Sequence, residues 1–186
     1  KSAYRRRHKV YIKSYLGIFK EVTNDIKATF NELQKKGSKE YSIIGNSTSC
    51  VIAAMVANSD KKCKKLVLNL VGNDLAECMW YSENPLVKRI KNDLVRKKIT
   101  LNKLKNYFKI MSYKKNSRNL KEKEILIFLS KNDKIVPYNN GVKLLNLLNK
   151  DNLKYKLIIN TLFGHYISYV KNLIFSDEII KFLEKS

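Results

Sequence analysis

The chain has 186 residues, of which 44% are hydrophobic and 10% aromatic, which excludes a disordered chain and predicts one domain with a buried core. Its formal net charge is +22, so we expect non-specific contact with polyanions or an anionic membrane surface. The lysines are scattered along the chain among many asparagines, which argues against a specific nucleic-acid partner. No apolar run approaches the ~20 residues of a transmembrane segment.

The three cysteines of the chain lack C-x-x-C spacing. The odd count argues against a disulfide framework and favours a reducing, cytoplasmic compartment. Two histidines with three scattered cysteines argue against a structural zinc site. The first fifteen residues are basic but lack the apolar stretch of a signal peptide. We expect no cofactor and no metal.

The first half of the chain alternates between helical and strand patterns. Apolar residues recur at helical spacing over 22–33, and the Lys-Lys-Gly sequence at 35–37 is typical of a helix end. Residues 41–44 predict a short buried strand and 45–49 a turn. Residues 51–57 are apolar throughout, which predicts a buried helix.

The second half continues this alternation. Residues 66–71 predict a second strand, and 75–119 predict a short helical cap or lid insertion. The other predicted elements are helices at 86–95 and 101–110, a strand at 125–129, a helix at 142–148, a strand at 157–159, and one or two helices over 167–183. Strands alternating with helices predict an α/β fold, a mostly parallel sheet flanked by helices.

Three short segments could carry chemistry, and each follows a predicted strand. The turn Gly45-Asn46-Ser47-Thr48-Ser49 joins a buried strand to a buried helix, which exposes Ser47 beside free N–H groups at the helix start. Asp133 follows the strand at 125–129 in the sequence Asp-Lys-Ile-Val-Pro. His165 follows the strand at 157–159 and comes directly after Gly164. Ligands bind at the carboxyl edge of open parallel sheets.

These segments resemble the α/β-hydrolase fold family of serine esterases and lipases over about residues 22–183. They are similar to its G-x-S-x-G nucleophile elbow, its strand followed by D-x-x-V-P, and its final G-H, in the family's order. The sequence departs from the elbow at Ser49, where the family has Gly. The resemblance implies a lipase-like carboxylic ester hydrolase with a small-molecule acyl substrate and a Ser-His-Asp triad.

In the implied mechanism Ser47 is the nucleophile, His165 the general base and Asp133 the acid that holds the imidazole. The backbone N–H of Thr48 would supply one oxyanion-hole donor. Asp74, after the second strand, occupies a position that some members use for the acid, and it is the alternative. His8 precedes Ser47 without strand context and is interpreted as a surface residue.

The family's sheet has further strands before the nucleophile, and this sequence lacks counterparts for them and for the H-G segment that often supplies the second oxyanion donor. Residues 1–19 resemble the segment that leads into the helix before the nucleophile strand, which would then lie exposed at the sheet edge. Six residues of the expected cap could line an acyl pocket or pack the core: Met79, Trp80, Tyr81, Tyr107, Phe108 and Met111.

Two other functions compete with the serine hydrolase. A degenerate, non-catalytic hydrolase-like binding domain is favoured by Ser49 and by the missing strands. The same missing strands are expected if the sequence is a piece of a longer protein, which is the explanation that we prefer. A basic polyanion-binding protein is favoured by the net charge alone, because no recognised nucleic-acid-binding motif is present.

Overall fold

The computed structural model describes residues 2–174 and 177–184, with the backbone alone for 2–16, so the side chain of His8 lies outside the described part. Within these residues the α-helices and β-strands are, in chain order, α1 (Ser2–Lys35), β1 (Tyr41–Asn46), α2 (Ser49–Ser59), β2 (Cys63–Asn69), α3 (Leu75–Tyr81), α4 (Pro85–Arg96), α5 (Leu101–Phe108), β3 (Glu124–Ser130), α6 (Tyr138–Lys150), β4 (Lys156–Asn160), α7 (His165–Ile174) and α8 (Asp177–Glu184). Short 3₁₀ turns occupy parts of 109–122.

The four strands form one parallel sheet in the order β1-β2-β3-β4, which confirms the predicted fold class. All four carboxyl ends therefore lie at the same edge of the sheet. The second strand was predicted over 66–71 but ends at Asn69, because Leu70 adopts a left-handed backbone with φ of 58° that a strand cannot accommodate.

Strand β1 lies at one edge of the sheet, as the sequence predicted, and Ile44 on it is exposed. The preceding helix α1 starts at Ser2 rather than near residue 22, so the expectation of a lead-in segment over 1–19 is wrong: one continuous helix covers 2–35. That helix ends as predicted, with Gly37 at φ of 100°, a conformation that glycine adopts without a steric penalty.

The two central strands, β2 and β3, are buried on both faces. On one face Leu66, Leu68 and Ile127 pack in a large core with α2 and with residues from 94–153. On the other face Val67, Leu126 and Phe128 pack against α8. This alternation follows the two-residue period of strand side chains, and it explains why the strands are continuous apolar runs. No helix of the described residues is long and apolar enough to cross a membrane.

Residues 75–119 form helices α3 to α5 and part of the 3₁₀ turns, and a cap function for them stays a prediction. Their core contributions include Leu94, Leu104 and Phe108. Glu77 on α3 pairs with Lys105 on α5 and with Lys143 on α6. Burial alone would raise the pKa of the Glu77 carboxyl, but the hydrogen bonds from the two lysines hold it below its usual value.

Replacing Glu77 by Gln should lower the free energy of unfolding by about 1 kcal/mol at pH 7, since both lysines are partly exposed and the pairs are screened. The folded-state pKa of Glu77 lies below the unfolded one, so its stabilisation is present at neutral pH and is lost as pH falls below about 4. Urea unfolding at pH 7 and pH 3 should therefore show a difference between the two proteins that shrinks at pH 3. A difference of the same size at both pH values would contradict this assignment.

Candidate active site

Ser47 lies at the turn between β1 and α2 with a positive φ of 52°. A non-glycine residue in this region is strained by about 1–3 kcal/mol, so its surroundings must hold it there. The Ser47 N–H donates to the carbonyl of Asn69 at 2.8 Å, and the Ser47 carbonyl accepts the N–H of Cys50 at 3.1 Å. The turn thus extends the β1–β2 pairing by one bond and lifts Ser47 to the carboxyl edge of the sheet.

The residues two positions either side of Ser47 explain how the turn packs. A Cβ atom on Gly45 would lie 2.6 Å from the Cα of Cys50 and 2.8 Å from the Cβ of Ala53, so only glycine lets α2 approach β1 this closely. Ser49, where the family has Gly, is exposed. Its hydroxyl accepts the N–H of Asn46 at 2.8 Å and donates to the Asn46 carbonyl at 2.9 Å. The departure from the family pattern therefore closes the turn instead of crowding it.

Asp133 and His165 are in direct contact after strands β3 and β4. His165 Nδ1 lies 2.6 Å from Asp133 Oδ2, and both side chains are more than nine-tenths buried. The other oxygen, Asp133 Oδ1, accepts the N–H groups of Ile135 and Val136, each at 2.8 Å. Two backbone donors and one imidazole thus fix the carboxylate, and the carboxylate in turn fixes the ring of His165.

The loop before His165 is held by hydroxyl groups. The Ser130 and Ser168 hydroxyls both donate to the carbonyl of Phe163, which ties the end of β3 and the first turn of α7 to one point. Asp74, the alternative acid, accepts the N–H of Glu77 at 3.0 Å and caps α3. Asp133 thus contacts the imidazole of His165. The carboxylate of Asp74 instead contacts the N-terminus of α3.

A cavity of about 170 Å³ opens beside Ser47. Its lining is apolar apart from Ser47 and Thr48. It comes from the turn, from helices α2, α3 and α4, and from the segments after β2 and after Asp133: Val51, Val71, Gly72, Leu75, Cys78, Met79, Val87, Ile90, Ile135 and Val136. Ligand pockets are usually ~300–1,000 Å³, so this cavity fits one small apolar group of a larger ligand.

Of the six residues expected to line an acyl pocket, Met79 lines this cavity and the other five do not. Phe108 and Met111 pack in the core instead. Val87 and Ile90 on α4 also line the cavity, and the sequence does not predict this. In the sequence these two residues show only helical spacing, which does not indicate which side of a helix faces a site.

Two further groups near Ser47 bear on its chemistry: the backbone N–H of Thr48 and the thiol of Cys78. The N–H of Thr48 donates to no acceptor within the described residues, so it is available to a ligand. Cys78 also lines the cavity, but burial raises the pKa of its thiol to about 12. That thiol is protonated at neutral pH and is a poor nucleophile, so the remaining nucleophilic groups of the lining are the hydroxyls of Ser47 and Thr48.

The chain is similar to several known hydrolases. The sequence model of the prolyl oligopeptidase family matches residues 23–186, while a search of the curated proteins found no match. A puromycin-hydrolysing peptidase from Mycobacterium tuberculosis aligns at 14% identity with a TM-score of 0.61, over 81% of this chain and 23% of that one. An α/β hydrolase from Vibrio vulnificus aligns at 21% identity with a TM-score of 0.63, over 86% and 55%.

The esterase domain of a Rhodothermus marinus protein aligns at 15% identity with a TM-score of 0.52, over 85% of this chain and 66% of that domain. The chain spans about a quarter of the length of the peptidase structures that it matches first. At these sequence identities, structural similarity shows a shared fold. Family membership is shown by the sequence model, which matches most of the chain. The chain belongs to the prolyl oligopeptidase family, a family of serine hydrolases with the α/β-hydrolase fold.

Proposed function

We propose that this chain carries the nucleophile, base and acid of a serine hydrolase that cleaves a carboxylic ester or a related acyl compound. The contact between His165 Nδ1 and Asp133 Oδ2, at the sheet edge where Ser47 also lies, carries the proposal. Because Nδ1 of His165 faces Asp133, the other ring nitrogen, Nε2, is the one that can accept a proton from a hydroxyl.

The reaction follows from the roles of these groups. Ser47 Oγ attacks the acyl carbonyl carbon, and His165 takes the hydroxyl proton. The bond from that carbon to the leaving group then breaks, and His165 returns the proton to the leaving oxygen or nitrogen. A water molecule, deprotonated by the same imidazole, then attacks the acyl carbon of the acyl-serine. The bond from that carbon to Ser47 Oγ breaks, and His165 returns the proton to Ser47 as the acid leaves. The free N–H of Thr48 donates to the carbonyl oxygen as negative charge develops on it.

The chemical nature of the leaving group distinguishes two possible activities. An alcohol leaving group makes the enzyme an esterase, and an amine makes it a peptidase or amidase. The family match, and the likeness to a peptidase that hydrolyses puromycin, support an amine. The likeness to an esterase domain supports an alcohol. Both leaving groups are consistent with one triad and one acyl-enzyme.

The apolar cavity gives the proposal a substrate preference that can be measured. Each buried methylene contributes about 0.8 kcal/mol. The butyryl group has two more methylenes than the acetyl group, so p-nitrophenyl butyrate should have a kcat/KM about 15-fold above that of the acetate. Val87→Asp places a carboxylate in the cavity and should abolish this preference. Val95→Asp on the same helix, at a half-exposed position outside the cavity lining, is the matched control and should retain it.

The rates are to be measured on this chain and on the longest polypeptide that contains it, with a butyryl p-nitroanilide as the matched amide. Turnover of the anilide but not of the ester would assign the activity to amide bonds. An unchanged butyrate preference in Val87→Asp would show that the acyl group does not occupy this cavity.

A further inference from the structure

Three asparagine side chains form a hydrogen-bonded chain between the Ser47 turn and the helix that carries His165. Asn69 Nδ2 donates to Asn46 Oδ1 at 3.0 Å, and Asn172 Nδ2 donates to Asn69 Oδ1 at 2.8 Å. Asn69, at the end of β2, is fully buried, and Asn172 on α7 is 6% exposed. This chain links β1, β2 and α7.

Asn69 holds the Ser47 turn through its backbone as well as through its side chain. Its carbonyl accepts the N–H of Ser47 at 2.8 Å and the thiol of Cys50 at 3.3 Å, while its carboxamide holds Asn46. Asn46, the strained Ser47 and Cys50 are thus all held by one buried residue. A left-handed serine persists only where its surroundings determine it in this way.

The hydrogen bond from Asn172, at the other end of the asparagine network, fixes α7 relative to the turn. Asn172 lies seven residues after His165 on the same helix, a rise of ~10 Å. A hydrogen bond from Asn172 to a buried acceptor on β2 restricts both the rotation of α7 and its movement along its axis. Any such movement would carry the imidazole at the first residue of α7 with it.

We propose that Asn69 is a positioning residue that sets the alignment of the Ser47 hydroxyl with the His165 imidazole, an inference that rests on the proposed function. It touches neither the reacting atoms nor the cavity beside Ser47, and it acts through Asn46 and Asn172. Removing its carboxamide leaves two partners unpaired in a buried network, which costs more than one hydrogen bond and lets the two elements shift. A displacement of ~1 Å between reacting groups can lower kcat by about 10²-fold.

The test compares Asn69→Leu and Asn172→Leu with Asn58→Leu. Asn58 accepts the N–H of Asn119 at 3.0 Å at the far end of α2, so its variant loses an amide hydrogen bond away from the site. In the longest polypeptide containing the chain, Asn69→Leu and Asn172→Leu should lower kcat and the fluorophosphonate labelling rate of Ser47 by 10- to 100-fold, with KM within about 2-fold. Asn58→Leu should leave kcat and KM unchanged and lower only the melting temperature.

A second readout does not depend on activity. The chain has two histidines, so the imidazole NMR signals of His165 can be assigned with a His8→Gln variant. These signals should move in Asn69→Leu and Asn172→Leu but not in Asn58→Leu. Unchanged signals and an unchanged kcat, with only a lower melting temperature, would overturn the positioning role. A wild-type protein that does not label would overturn the proposed function, while the NMR comparison would still decide the alignment.

Discussion

Asp133→Asn should lower kcat about 10⁴-fold and leave the fold intact. Asparagine has the shape of aspartate, and its carbonyl can still accept the N–H groups of Ile135 and Val136. Its NH₂ group, however, would face His165 Nδ1 at 2.6 Å and donate to it. The imidazole would then carry its proton on Nε2, the nitrogen that must be free to accept the serine proton. Steady-state kinetics of both proteins, with circular dichroism to confirm folding, measure the effect.

Asp74→Asn is the matched control for the choice of acid. Asn caps a helix as well as Asp does, and the Asp74 carboxylate accepts the Glu77 N–H at the start of α3. We therefore expect kcat within about 2-fold of wild type. A 10⁴-fold loss in Asp74→Asn, together with near-normal activity in Asp133→Asn, would assign the acid to Asp74 instead.

Gly45→Ala should destabilise the protein by about 1–3 kcal/mol and lower activity as well. The added methyl group would lie within 3 Å of the backbone of Cys50 and of the Cβ of Ala53, so α2 must move away from β1. Because α2 begins two residues after Ser47, this movement would displace Ser47 and the N–H of Thr48. Urea unfolding and the labelling rate of Ser47 measure the two effects.

The same substitution at Gly17 should have the opposite effect on stability. Gly17 lies inside α1, and a Cβ there meets no atom within 4 Å. Alanine in a helix interior is about 0.5–1 kcal/mol more favourable than glycine, so this variant should be more stable than wild type. Equal effects of the two substitutions would show that β1 and α2 do not pack as closely as the structure has them.

The strands and the segments that follow them could be predicted from sequence because their signals are local. A buried strand, a turn and a polar residue within a few positions define where Ser47, Asp133 and His165 lie along the chain. In a parallel sheet the carboxyl ends of the strands share one edge. The contact between Asp133 and His165 follows from this placement and from two short loops.

The asparagine chain could not be predicted, because its contacts are long-range. Asn69 and Asn172 are 103 residues apart and resemble the many other asparagines of the sequence. The start of α1 could not be predicted either, because Gly17 interrupts the segment before residue 22 and glycine is unfavourable inside a helix. The cavity lining was missed since it depends on how α3 and α4 are oriented.

Reaction with a fluorophosphonate probe, followed by mass spectrometry of the labelled peptide, tests the central claim most directly. The experiment uses this chain and the longest polypeptide that contains it, with Ser47→Ala as control. We expect covalent label on Ser47 in the longer form and none in the variant, since the probe reacts with an activated serine. A folded protein that takes no label on Ser47 would contradict the account and favour a non-catalytic binding domain.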